Sequence, residues 1–317
     1  MEKVTIAARE SKWRNLGKRI KESRFLILMI LPAVAFYFIF SYIPMYGVLI
    51  AFTKYYPKLG IWGSLQQHFV GFDNFKIIFN NDPEFLNVIR NTILIGAGKI
   101  IISFVAAIVV ALLINDLRMR FFKKTAQIIV TFPHFLSWVV VAGFINVLFA
   151  RTGIIDDIIA ACGGTRISFL ADGTFFVNLI FGSDIWKEAG WSSIIYLATM
   201  AGISPELYEA ADMDGATRLQ KTWHITLPGI KSTAILLLIL SVGGILSAGF
   251  DQIFNLYNPL VYDEVDILDT YIYRQTFENF VNPGVGTAIG LFKSIVSFVL
   301  VISVDRIAKL CGERGII

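Results

Sequence analysis

The 317-residue chain is 56% hydrophobic and only 16% charged, where an ordinary soluble domain carries about 25% charge. Its apolar residues fall in blocks long enough to cross a bilayer, which argues against a soluble globular protein. The net charge is a modest +4, and the two cysteines, Cys162 and Cys311, lie far apart without a CxxC partner or a histidine cluster; neither a disulfide framework nor a zinc site is expected.

Residues 1–24 carry eight Lys/Arg. A nucleic-acid arm can look like this, but a basic flank before a first span also fixes that end in the cytoplasm, and that reading is preferred. Trp13, Leu16 and Ile20 share one helical face, which suits a short helix lying on membrane lipid. The apolar run from Phe25 to Phe52 is too long for the core of a signal peptide, and no small-residue cleavage site follows it. It reads as a retained first span.

Six spans are predicted, at 25–46, 88–114, 126–149, 174–201, 232–251 and 286–305. The fold class is therefore an all-α membrane protein, with a tail at 1–24, one membrane domain over 25–305 and a second tail at 306–317. With the N-terminus inside, the inner segments hold 18 Lys/Arg and the outer segments six. That imbalance puts both termini in the cytoplasm. The outer segments, roughly 47–87, 150–173 and 252–285, are too short for a separate domain.

Gly96, Gly98 and Lys99 look like the end of a phosphate loop, but Ile93 and Ile100 stand where that motif needs Gly and Ser/Thr. ATP hydrolysis by this chain is not expected. No HExxH or GxSxG motif occurs, and His68, His134 and His224 are isolated in sequence and read as structural. Lys99, Asp184, Lys187, Glu188, Asp251 and Lys293 fall within spans, where a charge usually faces a cavity or a partner. Trp186 adds an aromatic face beside Lys187, and Gly190 lets the fourth span bend. Asp251, Gln252, Asn255 and Tyr257 lie near the outer mouth and are candidates for a substrate path. Pairing of these groups with one another, or with another subunit, is the plainer reading. The small residues Gly243, Gly244, Ser247, Ala248 and Gly249 suit close helix packing.

The segment 203–229, which faces the cytoplasm, is the most informative. Ser204 is a good N-cap and Pro205 suits a first helical position. Glu206 and Glu209 sit where the helix dipole favours acids. Asp214-Gly215 is a turn signal. A second short helix is expected from Ala216 to about Thr222, stopped by Leu227-Pro228.

Glu209-Ala210-Ala211, Asp214-Gly215-Ala216, Trp223, Ile225 and Leu227-Pro228 closely resemble the EAA loop of ABC importer permeases. Tyr42–Ala51, Gly71–Phe75, Arg90–Thr92, Pro133–Phe135, Asp184–Lys187 and Gln252–Tyr262 resemble the carbohydrate-uptake branch, and within it the LplB/YteP-type permeases. The resemblance implies a six-helix type I importer permease (MetI-like) fold in a bacterial cytoplasmic membrane. It implies that Glu209, Ala210, Ala211, Asp214, Gly215 and Ala216 form a coupling helix. It also implies several partners: a second homologous permease, two ABC ATPase subunits that bind ATP and Mg, and an extracytoplasmic solute-binding protein that delivers an oligosaccharide. No cofactor in this chain and no nucleic acid are expected. A stand-alone secondary transporter or channel would need inverted repeats and its own ion site, neither of which is apparent. A membrane-embedded enzyme would need clustered acids, for which Asp263, Glu264, Asp266 and Asp269 are the available group.

Overall fold

The computed structural model describes residues 23–81, 83–278 and 283–310. The expected amphipathic face of Trp13, Leu16 and Ile20, and Cys311, lie outside these residues. Within them the chain is helical, interrupted by turns and by an isolated antiparallel bridge between Thr53 and Phe69.

The first span begins as α1, Arg24–Tyr37, and continues without a break through a π turn, Phe38–Tyr42, and a 3-10 segment, Ile43–Phe52. Pro32 is tolerated inside α1, and no residue of α1 is buried. The span ends where the buried Asn74 amide donates to the Ala51 and Thr53 carbonyls, at 2.8 and 3.0 Å. Two short helices then run outside the spans, α2, Gly60–Gln67, and α3, Asp73–Asn81.

The central pair is α4, Pro83–Asn115, and α8, Gly173–Ala201, which pack along most of their length. Ile95 of α4, Phe176 and Ile180 of α8 and Ile253 form part of one buried cluster. Leucine, isoleucine and valine dominate α4, so the helix is apolar nearly all round, as expected of a span with protein on one side and lipid on the other.

The span expected at 126–149 is not one helix. It divides into α5, Arg120–Thr131, a 3-10 turn, Phe132–Phe135, and α6, Trp138–Phe149. Pro133 lacks the N–H that would continue α5, and the Ser137 hydroxyl accepts from Val140 N to start α6. Gly190 lies inside α8, which is continuous across it. The glycine also serves packing: a Cβ there would collide with the Val130 carbonyl of α5. Beyond α6 lies α7, Ile154–Ala161, whose buried Asp156 accepts from Ile167 N at 2.7 Å.

The fifth span is also broken. The helix α11, Leu227–Val242, ends at Gly243. A 3-10 turn, Ile245–Ser247, and two left-handed residues, Ala248 at φ 45° and Gly249 at φ 85°, lead into α12, Phe250–Leu256. Two short helices, α13, Tyr262–Val265, and α14, Leu268–Tyr273, precede the last span, α15, Pro283–Leu310.

Among the described residues five helical stretches are long and apolar enough to cross a membrane: Arg24–Phe52, Glu84–Asn115, Trp138–Ala161, Arg218–Val242 and Pro283–Leu310. The 29-residue α8 is long enough too but carries Asp184, Lys187 and Glu188.

The acids considered for an enzyme do not gather. Asp269 pairs with Lys293 at 2.6 Å, and Asp266 with Arg274 at 2.6 Å. The backbone carbonyl of Asp263 accepts from Asn87 and Asn91. Among the described residues no group of three His, Cys, Asp or Glu side chains is placed to hold a metal.

Candidate functional site

The 203–229 segment folds as two helices around a tight turn. The first, α9, is Pro205–Met213, and Gly215 follows at φ 73°. Ala216 N bonds to Ala211 O and Gly215 N to Asp212 O, at 2.9 and 3.1 Å. This is a Schellman closure, and its left-handed position favours glycine. Ser204 occupies the cap position but its side chain makes no capping bond, contrary to expectation. The stronger cap lies at the second helix, α10, Arg218–Lys221, where Thr217 and Gln220 form a capping box.

Pro228 does not stop this helix. A π turn, Thr222–Thr226, carries α10 directly into α11, so the loop and the fifth span form one rod. Pro228 falls in the first turn after the π segment, where its missing N–H is tolerated. Two contacts clamp α9 to the rod: the Tyr208 hydroxyl to Thr226 Oγ1 at 2.9 Å, and Lys221 Nζ to Asp212 at 2.6 Å. Glu209, Ala210, Asp214 and Gly215 are exposed, whereas Ala211 and Ala216 are half-buried beside Gln220, His224 and Ile225. Leu207, Met213, Leu219 and Trp223 are 54–89% exposed, so both helices present large apolar side chains at the surface.

A second polar group lies in the middle of the spans. Lys99 of α4 donates to the Ala248 carbonyl at 3.0 Å and pairs with Asp184 of α8 at 3.4 Å. Asp184 also accepts from Ser103 at 2.7 Å. These residues line a cavity of about 360 Å³ with Trp191, Ser192 and Ser241. A non-glycine residue in the left-handed region costs on the order of 1–2 kcal/mol, and the ammonium on the Ala248 carbonyl helps to hold it there. One helical turn further along α8, Lys187 donates to the His134 carbonyl at 2.8 Å and to Glu188 at 3.1 Å. Glu188 meets His134 Nδ1 at 2.7 Å, and the His134 ring stacks on Trp191 at 4.4 Å. His134 is therefore not isolated in the fold.

Residues 100–314 match the family described as "Binding-protein-dependent transport system inner membrane component". The chain belongs to this family. It is 41% identical over 298 residues to Protein LplB of Bacillus subtilis, covering 94% of this chain and 92% of the relative. It is 42% identical over 314 residues to the polygalacturonan/rhamnogalacturonan transport system permease protein YteP of the same organism, covering 99% and 96%. Its fold matches a chain of a bacterial ABC transporter involved in import of the acidic polysaccharide alginate, with a TM-score of 0.84 and 35% identity over 93% of this chain and 98% of that one. A second alginate transporter structure, in complex with a pentasaccharide-bound periplasmic protein, matches equally, with a TM-score of 0.84. The protein is an ABC importer permease with the all-α fold of that class.

Within the permease the path residues expected from sequence separate. Gln252 is fully buried and its amide donates to Ile180 O and Ser183 Oγ, both at 2.8 Å. Lys187 is nearly buried and its ammonium lies over Trp138, 5.4 Å from the ring centroid, not over Trp186. Adjacent helical residues point in different directions. Trp186 lies in an apolar groove with Phe144, Leu148 and Leu179. Asp251 is exposed and its backbone carbonyl accepts from Asn255 at 2.7 Å. Tyr257 packs with Phe254 and Tyr262. Hydropathy puts Lys99 and Asp184 at membrane depth, but only the fold joins them to Trp191, Ser192 and Ser241. The signal was available on α8: positions 184, 188, 191, 192 and 195 recur at helical spacing on one face.

Proposed function

We propose that this permease forms one half of a translocation path with a second homologous permease, in a bacterial cytoplasmic membrane with both termini inside. The cargo is an oligosaccharide delivered by an extracytoplasmic solute-binding protein. The relatives named for polygalacturonan, rhamnogalacturonan and alginate favour an acidic glycan. ATP and Mg belong to two partner ATPase subunits; this chain has no phosphate loop.

The observation that carries this reading is the rod at the cytoplasmic face. A glycine-turned helix pair with exposed apolar side chains is clamped by Tyr208 and Lys221 to a helix running into the membrane. In this reading Glu209, Ala210, Ala211, Asp214, Gly215 and Ala216 form the coupling helix, which enters a cleft of the ATPase. Motion of that cleft then moves the inner end of the fifth span without a flexible joint between them. The substrate path runs past the Lys99–Asp184 cavity; of the path residues expected from sequence, Trp186, Glu188, Asp251, Asn255 and Tyr257 stay accessible for contact elsewhere along it, whereas the buried Lys187 and Gln252 hold the helices together.

Reconstitution with the partner permease, ATPases and binding protein tests the reading. An acidic oligosaccharide is expected to stimulate ATP hydrolysis in the presence of the binding protein, and a neutral one of equal length to stimulate it less. Uptake by this chain alone, with no ATPase present, would instead make it a stand-alone transporter or channel.

A further inference from the structure

Both halves of the fifth span rest on α8, at different points along it. The inner half, α11, is continuous with the cytoplasmic rod, is tied to α9 through Tyr208 and Thr226, and meets α8 where the Thr199 and Thr233 hydroxyls lie 3.3 Å apart. The outer half, α12, is anchored to α8 through the buried Gln252 amide. Between them the chain passes through Gly243, Gly244 and the left-handed pair Ala248–Gly249. Breaking a helix within a bilayer frees backbone carbonyls that need partners. One of these, at Ala248, receives the Lys99 ammonium. The fit is close: a Cβ at Gly249 would collide with Lys99 Nζ, and one at Gly96, a turn earlier on α4, with the Ile245 carbonyl. Lys99 is 9% exposed and Asp184 holds it from the other side. This charge pair is therefore spent on a backbone joint within one subunit.

We propose that Lys99 is a positioning residue of the transport cycle, whose ammonium, held by Asp184, pins the break at Ala248 and so fixes the angle between α11 and α12. The proposal rests on the coupling reading of the 203–229 loop. When the loop drives α11, the Lys99–Ala248 contact is the bond that must yield or re-form at the joint. A neutral side chain at 99 lets the joint sample both angles in the resting complex, and loop motion then no longer passes cleanly to the outer half.

The test uses the full reconstituted complex with spin labels on either side of the break, at Leu240→Cys and Leu260→Cys, in a Cys162→Ser/Cys311→Ser background. In the parent protein one resting distance is expected, shifting when ATP binds. In Lys99→Met the resting distribution should broaden to include the shifted distance. Basal ATP hydrolysis should rise, and uptake per ATP should fall at least about fivefold, the low end of usual site-to-site coupling. Lys99→Arg, which retains a donor, should restore a single resting distance. If Lys99→Met does not assemble, Asp184→Asn carries the test, with the same broadening expected. A parent protein that responds to ATP and a Lys99→Met protein (or its Asp184→Asn substitute) that behaves identically overturn the pin. A parent whose label distance ignores ATP while uptake stays coupled overturns the coupling path through α11 itself.

Discussion

The Tyr208 hydroxyl and Thr226 Oγ1 lie 2.9 Å apart and join the first helix of the 203–229 loop to the base of the fifth span. The bond is part-buried and, with the Lys221–Asp212 pair, holds α9 on the rod. Tyr208→Phe removes it while keeping the ring. A loss of about 0.5–1.5 kcal/mol in that local contact is expected. Membrane insertion should be unchanged, and uptake per ATP hydrolysed should fall. Measuring both rates in proteoliposomes checks this, and an unchanged ratio shows that the clamp is not used.

Gly215 has φ 73° and open space around its Cα. Gly215→Ala is therefore limited by backbone strain alone, of about 1–2 kcal/mol, and should retain partial coupling. Gly215→Pro demands φ near about −65°, which the turn cannot supply. It should abolish coupled uptake with the protein still present in the membrane. Normal transport by Gly215→Pro removes the coupling role from this loop.

Gly190 of α8 lies against the Val130 carbonyl of α5. Gly190→Ala forces the two helices apart, an overpacking cost of about 1–3 kcal/mol. A lower melting temperature of the purified permease in detergent is the expected result. Gly182→Ala, on the same helix with nothing within 4 Å of its added methyl, is the control and should leave it unchanged.

Arg274 bonds Asp266 at 2.6 Å and stacks over Tyr262 at 4.5 Å. Burial pushes the Asp266 carboxyl above the usual carboxylate range, against the opposing pull of the Thr270 hydroxyl and the Arg274 guanidinium. Arg274→Met leaves that carboxyl buried without its cation, and a loss of about 3–5 kcal/mol is expected. The double variant Arg274→Met/Asp266→Asn should recover part of it, because no buried charge is then left unpaired. Thermal unfolding of the three proteins checks this ordering.

What was legible in the sequence followed from local chemistry. Blocks of apolar residues gave the membrane class, and the Asp214-Gly215 signal gave the turn, because a left-handed position selects glycine wherever it occurs. The 126–149 and 232–251 spans were misjudged because hydropathy measures apolar length and is blind to a break inside it. Pro133 and the glycines from 243 to 249 were visible, but what makes a break tolerable is a partner for the freed backbone groups. At Ala248 that partner is Lys99, 149 residues away in the chain.

The sequence by itself determined that this is an all-α membrane chain whose 203–229 loop turns on Gly215, since those features depend on composition and on single-residue backbone preference. The tertiary structure alone decided that the loop and the fifth span are one rod, and that Lys187 meets His134 and Trp138 in place of Trp186. It also decided that Lys99, Asp184 and Ala248 meet at a helix break. Those outcomes depend on which faces of α4, α8 and α11 come together, and a buried charge takes the partner that packing brings within reach.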